Sequence, residues 1–318
     1  MQIPKDDAAR ARRAALDYGR LTLVMGPAPT ARRGLRDLVQ QVPYRALFPH
    51  AEPGEPPMVV VTSTSGGIVG GDRLGLDVTV EDGARLLLMP QAAERVYRTT
   101  GPVSTIDNLF RVGRHACFEW LPQETIIYDR ARFERRTRLM LADQTSRALF
   151  GEILVLGRTA HGESVLRARL RDAWAVERAG RLVLADAFDL AEEDFAAAIA
   201  SPSALGGMTA IAGFCGIGSP GEAAGQALRD RLRRELEAAE GPEPAFGTKH
   251  ASNATGAAAD PDALARPIVG IGLVDGCLVV RMAGGDAARL KRVFDRLWAV
   301  ARAELLHHPP RLPRIRRG

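Results

Sequence analysis

The chain reads as mainly β, with a few helices gathered chiefly in its C-terminal third. Two observations carry that reading. Between Val59 and Leu190, short segments of alternating or continuous apolar residues recur, separated by Gly, Pro and Asp turn signals. Apolar residues at helical spacing appear only beyond that stretch, most clearly after Asp286. Strands followed by helices, rather than alternating with them, predict a β-layer with appended helices, and the short turns predict a largely antiparallel one.

After a polar start, Gly19 to Val24 forms a first strand, and the prolines between Pro27 and Pro57 cut the next segment into pieces too short for a long helix. Val59 to Thr62 is a β-type run. Arg73 to Val80 alternates as a half-buried strand, and a turn at Asp82-Gly83 leads into Arg85 to Met89. Thr105 to Val112 is followed by a turn at Gly113 and by Cys117 to Leu121. Phe133 to Leu141 alternates at Phe133, Arg135, Thr137 and Leu139, whereas Leu149 to Leu156 is nearly all apolar, a strand buried on both faces that only Glu152 interrupts. Val165 to Val176 and Leu182 to Phe188 meet at a Gly180 turn.

Helices then take over. A short one is expected between Asp189 and Ala200, and Ser219-Pro220-Gly221-Glu222 carries the capping-box and first-turn proline signature of a helix reaching about Ala239. Gly241 to Pro267 (241–267) is rich in small and polar residues without periodicity, a flexible insertion within a single domain spanning 1–318. Ile268 to Val274 and Cys277 to Met282 flank an Asp275-Gly276 hairpin turn. From a cap at Asp286, Leu290, Val293, Phe294, Leu297, Trp298, Ala301 and Leu305 form one apolar stripe before Pro309 stops the helix. A stripe of this kind normally docks on its own core. The tail from Pro310 to Arg317 is basic and extended, either a clamp on a partner or a solvated end.

Of the 43 basic residues only Lys5, Lys249 and Lys291 are lysine, and the arginines are interleaved with Asp and Glu along the whole chain. That distribution argues against a nucleic-acid surface despite the net charge of +5. Cys117, Cys215 and Cys277 are odd in number and far apart, which fits a reducing compartment and no disulfide framework. No apolar run is long enough for a membrane span, so the expected location is cytoplasmic.

Searches for chemistry return little. Gly66, Gly67, Gly70 and Gly71 bracket only Ile68 and Val69, marking a shaped loop between strands, but Asp72 stands where a phosphate loop needs Lys and Ser/Thr, and a strand follows instead of a helix. A structural hairpin or bulge with Asp72 as capping acceptor is the simpler reading. No Gly-x-Ser-x-Gly occurs, and neither the isolated His50, His115 and His161 nor the adjacent His307-His308 has metal-ligand spacing. What remains is polar residues set in apolar β-segments: Asp72, Glu94, Glu119, Gln123, Glu124, Glu152, Arg158 and Glu163. A buried carboxylate is costly unless paired or coordinated, so either Arg95, Arg98, Arg130 and Arg158 pair with them, or they line a polar passage.

Four segments then add up to a resemblance: Gly66-Gly67-Ile68-Val69-Gly70-Gly71-Asp72, Gln91 to Arg98 with Val96-Tyr97-Arg98, Glu119-Trp120-Leu121-Pro122-Gln123-Glu124-Thr125-Ile126, and Glu152 to Glu163 with Gly157-Arg158. In order and spacing they resemble the urease accessory protein family UreD, also called UreH. Arg281, Phe294, Trp298, Arg302 and Pro313-Arg314-Ile315 extend the likeness. The chain departs from the family pattern with Thr64-Ser65 in place of a proline pair, Glu94-Arg95 in place of Thr-Lys, and Arg316 in place of Trp.

The resemblance implies an elongated, helicoidal β-rich fold of mixed sheets, no catalytic or cofactor-binding residues, and a role in urease maturation. It further implies binding to apo-urease and assembly with UreF and the GTPase UreG, with Ni2+ passing in transit toward a buried dinickel site. Asp72, Glu124, Glu152 and Glu163 are then the candidates for the metal route. Gly66, Gly67, Gly70, Gly71, Tyr97, Arg98, Trp120, Gln123 and Arg158 are the motif positions. Asp72 and Glu152 are expected to be uncompensated carboxylates on a hydrated passage. The competing readings are a β-sheet enzyme using Glu124, Glu152 or Glu163 as acid/base groups, and a structural adaptor without a metal route. A further expectation is poor solubility of the isolated chain, if a partner is needed to cover the Ser219 to Ala239 helix or the Leu290 to Leu305 stripe.

Overall fold

The structure, a computed structural model, describes residues 19–158, 163–218, 222–240 and 266–317, with backbone alone at 222, 239, 240 and 317. The first sheet begins with β1 (Arg20–Met25); a single helical turn, α1 (Ala31–Gly34), brings the chain back as β2 (Leu35–Gln40). The chain crosses to a second sheet as β3 (Tyr44–Leu47) and β4 (Met58–Ser63), returns as β5 (Arg73–Val80), and crosses again as β6 (Arg85–Pro90) and β7 (Glu94–Val96). The alternation continues with β8 (Ser104–Val112) in the first sheet, β9 (Cys117–Trp120) and β10 (Glu124–Ile127) in the second, β11 (Arg132–Leu141) in the first and β12 (Arg147–Leu156) in the second. The hairpin β13 (Arg169–Arg178) and β14 (Arg181–Leu190) closes the first sheet, and α2 (Phe195–Ala200) leads to β15 (Ala210–Ile217). Beyond α3 (Glu222–Glu240), the hairpin β16 (Ile268–Val274) and β17 (Cys277–Gly284) completes the second sheet, before α4 (Ala287–Leu306) and α5 (Arg314–Arg317).

From β5 to β12 each coil of the chain therefore lays one strand on the first sheet and one or two on the second, and the strands so laid are parallel. In the first sheet β1, β5, β8, β11 and β13 run parallel, as do β4, β6, β9 and β12 in the second. Antiparallel pairs are confined to the flanks, β1–β2, β3–β4 and β13–β14, and to β12–β15–β17–β16. The mainly β class with mixed sheets holds, but the largely antiparallel expectation does not. The turns at Asp82-Gly83 and Gly113 join strands of different sheets, so they are arches, and a local turn signal does not distinguish an arch from a hairpin. The two turns that are hairpins carry consecutive left-handed residues, Ala179-Gly180 and Asp275-Gly276, the conformation that matches strand twist.

The packing has three layers. Phe110, Phe118, Phe133, Phe150 and Val78 fill the space between the sheets. The outer face of the second sheet is covered by α3 and α4, where Phe214 meets Phe294 and Trp298 edge-on. Sandwiched between these layers, β12 sends Phe150, Glu152 and Leu154 inward and Leu149 and Ile153 toward the helices, which is why its sequence is apolar throughout.

Asp286 caps α4 by accepting from the Arg289 amide at 2.9 Å, and the stripe from Leu290 to Ala301 is buried against β12, β15 and β17. On α3, Leu228 and Leu232 join the same cluster. The chain's own sheet thus covers the apolar stripe of α4 together with Leu228 and Leu232 of α3. The tail is neither extended nor solvated: Leu312 and Arg316 are buried. Arg316 donates to Asp295 at 2.8 Å, to Gln123 Oε1 at 2.6 Å and to the Pro122 carbonyl. The capping box at 219–221 and the insertion at 241–265 lie outside the described residues.

Candidate functional site

The glycine segment joins β4 of the second sheet to β5 of the first, and its shape is steric in origin. Gly67 has φ +147°, and a Cβ there would stand 2.6 Å from the Arg95 carbonyl oxygen. At Gly70 a Cβ would meet Thr99 Oγ1 at 2.0 Å. The loop is pulled in by Ile68, fully buried and bridged to Val96, and tied by Tyr97, whose hydroxyl donates to the Gly66 carbonyl at 2.9 Å. Asp72 Oδ2 accepts from the Val69 amide at 2.9 Å, so the capping reading of this residue is correct, but the loop is an arch between the two sheets and not the hairpin expected.

Behind this loop lies a 330 Å³ cavity between the sheets, lined by Tyr44, Gly66, Gly67, Glu94, Asn108, Trp120, Gln123, Glu124, Thr125, Arg135 and Glu152, with exposed Ser65, Gln91 and Ala93 at its rim. A second, 160 Å³ cavity is lined by Glu152, Asp172, Trp174, Asp186 and Arg281. Glu152 is common to both. Between them, Arg135 grips Asp172 through Nε at 3.0 Å and Nη2 at 2.7 Å, while Nη1 reaches Glu152 at 2.9 Å and Thr125 at 3.0 Å. Trp120 Nε1 donates to the other oxygen of Glu152 at 3.1 Å.

This cluster sets one guanidinium against two carboxylates in a buried setting. Burial pushes the Glu152 carboxyl up to about 7, against the pull of Arg135 and with Asp172 adding repulsion. Burial likewise raises Glu94 to about 7, with Asp72 contributing repulsion, and holds the Tyr44 phenol far above its usual range with help from Glu94. The cavities therefore hold carboxyl groups that change protonation state near neutral pH. Among the described residues, no three His, Cys, Asp or Glu side chains are grouped to hold a metal ion.

The comparisons with known proteins decide the family. The profile described as "UreD urease accessory protein" matches residues 17–317. The chain belongs to the UreD urease accessory protein family. A "Urease accessory protein UreD" from Magnetococcus marinus is 38% identical over 283 residues, 88% of each chain. One from Granulibacter bethesdensis is 34% identical over 269 residues, covering 85% of this chain and 98% of the relative. One from Bradyrhizobium diazoefficiens is 35% identical over 260 residues, 82% and 81% of the two chains.

Within this UreD-family fold the expected site residues separate. Glu152, Glu124, Trp120, Gln123, Gly66 and Gly67 line the first cavity; Asp72 stands half-exposed beside it, and Gly70 and Gly71 shape the loop. Glu152 is not uncompensated, since Arg135 pairs with it, which corrects the expectation of a free carboxylate. Glu124 is paired with Lys291 at 2.7 Å. Glu163 lines neither of these cavities: it binds Arg158 at 2.6 Å, and that guanidinium lies over the Tyr128 ring at 4.7 Å. Arg98 is exposed, Arg130 lies 3.6 Å from Asp129, and Arg95, itself exposed, acts on Glu94 through its charge and a backbone hydrogen bond; among the described residues Arg158 forms the expected ion pair, with Glu163. Of the three acids, Glu124 and Glu152 share the first cavity and Glu163 lies apart from them.

The interior partners Arg135 and Asp172 were missed as site residues, although the strand pattern marks them. Arg135 sits in the inward phase of Phe133, Thr137 and Leu139, and Asp172 in that of Leu170, Trp174 and Val176; a charge in an apolar phase needs a buried partner. A second interior network lies on the helix side of the second sheet. Glu119 accepts from Trp298 Nε1 at 2.8 Å, from Arg302 Nε at 2.9 Å and Nη2 at 3.0 Å, and bonds His308 Nδ1 at 2.8 Å. Arg302 also binds Glu55 at 2.6 Å and the carbonyls of Pro309 and Arg311, fixing the tail to the body.

Proposed function

We propose that this chain is a urease maturation factor without turnover of its own. It binds apo-urease in the cytoplasm and, with UreF and the GTPase UreG, supports GTP-dependent delivery of Ni2+, the ion crossing the polar interior between the sheets. One observation supports the crossing most directly: Glu152 lines the cavities on both its sides while sharing a single guanidinium with Asp172. Carboxylate oxygens suit an ion that must leave again, because thiolate and imidazole sites hold nickel more tightly. Glu94 and Asp72 serve the rim and Glu124 and Glu152 the interior, whereas Glu163, held by Arg158, lines neither cavity.

The test is nickel occupancy of urease after maturation with Glu152→Gln or Glu94→Gln, alongside a pull-down of the accessory complex. Glutamine keeps the shape and the Trp120 hydrogen bond while removing the exchangeable charge. Both variants should keep the complex and deliver less nickel. Full nickel loading by both would leave the structural-adaptor reading standing and overturn the route.

A further inference from the structure

A third cavity, of 750 Å³, lies among the C-terminal end of β13, the β16–β17 turn, α3 and the end of α4. Its acids are already engaged: Asp275 binds Arg181 at 2.7 Å, and Glu304 is paired with Arg231. Its cation is not. Arg178 is more than nine-tenths buried; Nη1 donates to the neutral Gln144 Oε1 at 2.9 Å, while Nε and Nη2 have no acceptor among the described residues. Gln226 Oε1, lining the same cavity, is likewise buried and has no donor.

A buried guanidinium without a counter-charge is among the costlier features a fold can keep, and native structures seldom leave such donors unmet. The two vacant donors are adjacent on one edge of a planar fork, the arrangement that matches two oxygens of a carboxylate or phosphate. Water could meet the hydrogen bonds but not the charge. We propose that this cavity binds a small oxyanion, phosphate or carboxylate, held by the Nε–Nη2 edge of Arg178, and a ligand that also carries a hydroxyl, as monohydrogen phosphate does, can donate it to Gln226 Oε1. The site is separate from the cavities at Glu152, and the proposal does not rest on nickel or on the urease partners.

The test is thermal unfolding of the full chain titrated with inorganic phosphate or with succinate, against chloride at equal ionic strength. Phosphate or succinate should raise Tm saturably where chloride does not, and the one that saturates at lower concentration identifies the group the site takes. Arg178→Lys keeps the charge but loses the fork, and should raise the half-saturating concentration about tenfold. Arg178→Met should abolish the response, with a Tm in chloride no lower than that of the wild type, because it removes an unpaired buried charge. Equal behaviour of phosphate, succinate and chloride on the wild type overturns the site, as does an undiminished response in Arg178→Met. Should that variant not fold, an unchanged half-saturation in Arg178→Lys overturns it equally.

Discussion

Arg302 and Arg135 are built from nearly the same ingredients: each is buried, and each faces two carboxylates, Glu119 with Glu55 in one case and Glu152 with Asp172 in the other. Their carboxylates nevertheless behave oppositely. Burial alone would raise Glu119, but the hydrogen bond to His308 and the charge and hydrogen bonds of Arg302 bring it down to about 2, and Trp298 donates as well. Glu152 has only Trp120 and one nitrogen of Arg135, whose better fork is spent on Asp172, and burial carries it to about 7. The number of donors aimed at the carboxylate, rather than the depth of burial, separates a structural anchor from an exchangeable acid.

The largest effect that would break this comparison concerns the arginines. Arg302→Ala strands Glu119 and Glu55 and frees the tail, and should cost about 3–5 kcal/mol in urea unfolding at neutral pH. Arg135→Ala should cost less, because Glu152 can take a proton and the flanking cavities can admit water. Equal losses would mean that the cavities confer no relief.

The next effect is in the pH dependence. The folded-state value of Glu119 is depressed from 4.5 to about 2, so its contribution is present above pH 4.5 and lost as the pH falls toward 2. The folded-state value of Glu152 is raised from 4.5 to about 7, so its contribution is present below pH 4.5 and lost as the pH rises through 7. Each limb is worth about 3 kcal/mol. Glu119→Gln should remove the acid limb and destabilise the fold at neutral pH, whereas Glu152→Gln should remove the upper limb and leave the protein at least as stable at pH 8. Stability profiles that lose the same limb in both variants would contradict the assignment.

Trp120→Phe sharpens the comparison at the smallest scale. Losing one donor to Glu152 should cost about 1 kcal/mol above pH 7 and move the carboxyl titration further up, as read by carboxyl-carbon NMR. An unmoved titration would show that the indole merely packs.

Much of this was legible in the residues. The strands β5, β6, β8, β9 and β11, the Asp286 cap and the stripe of α4 follow from spacing and capping alone. By contrast, β2, β3, β7, β10 and β15 were not anticipated; most are short, and β15, with the pattern AIAGFCGI, has little alternation to mark it. Their place is decided by the neighbours they pair with.

The sequence by itself determined the class, the family and the inventory of inward charges, because periodicity, turn chemistry and motif order are properties of contiguous residues. Tertiary structure alone decided the parallel coiling, since an arch and a hairpin share the same local turn residues and differ only in which sheet receives the next strand. It also decided the partners. Glu119 meets Arg302 across 183 positions and Glu152 meets Arg135 across the gap between sheets, so whether a carboxylate becomes anchor or exchangeable acid depends on donors brought from distant strands and helices.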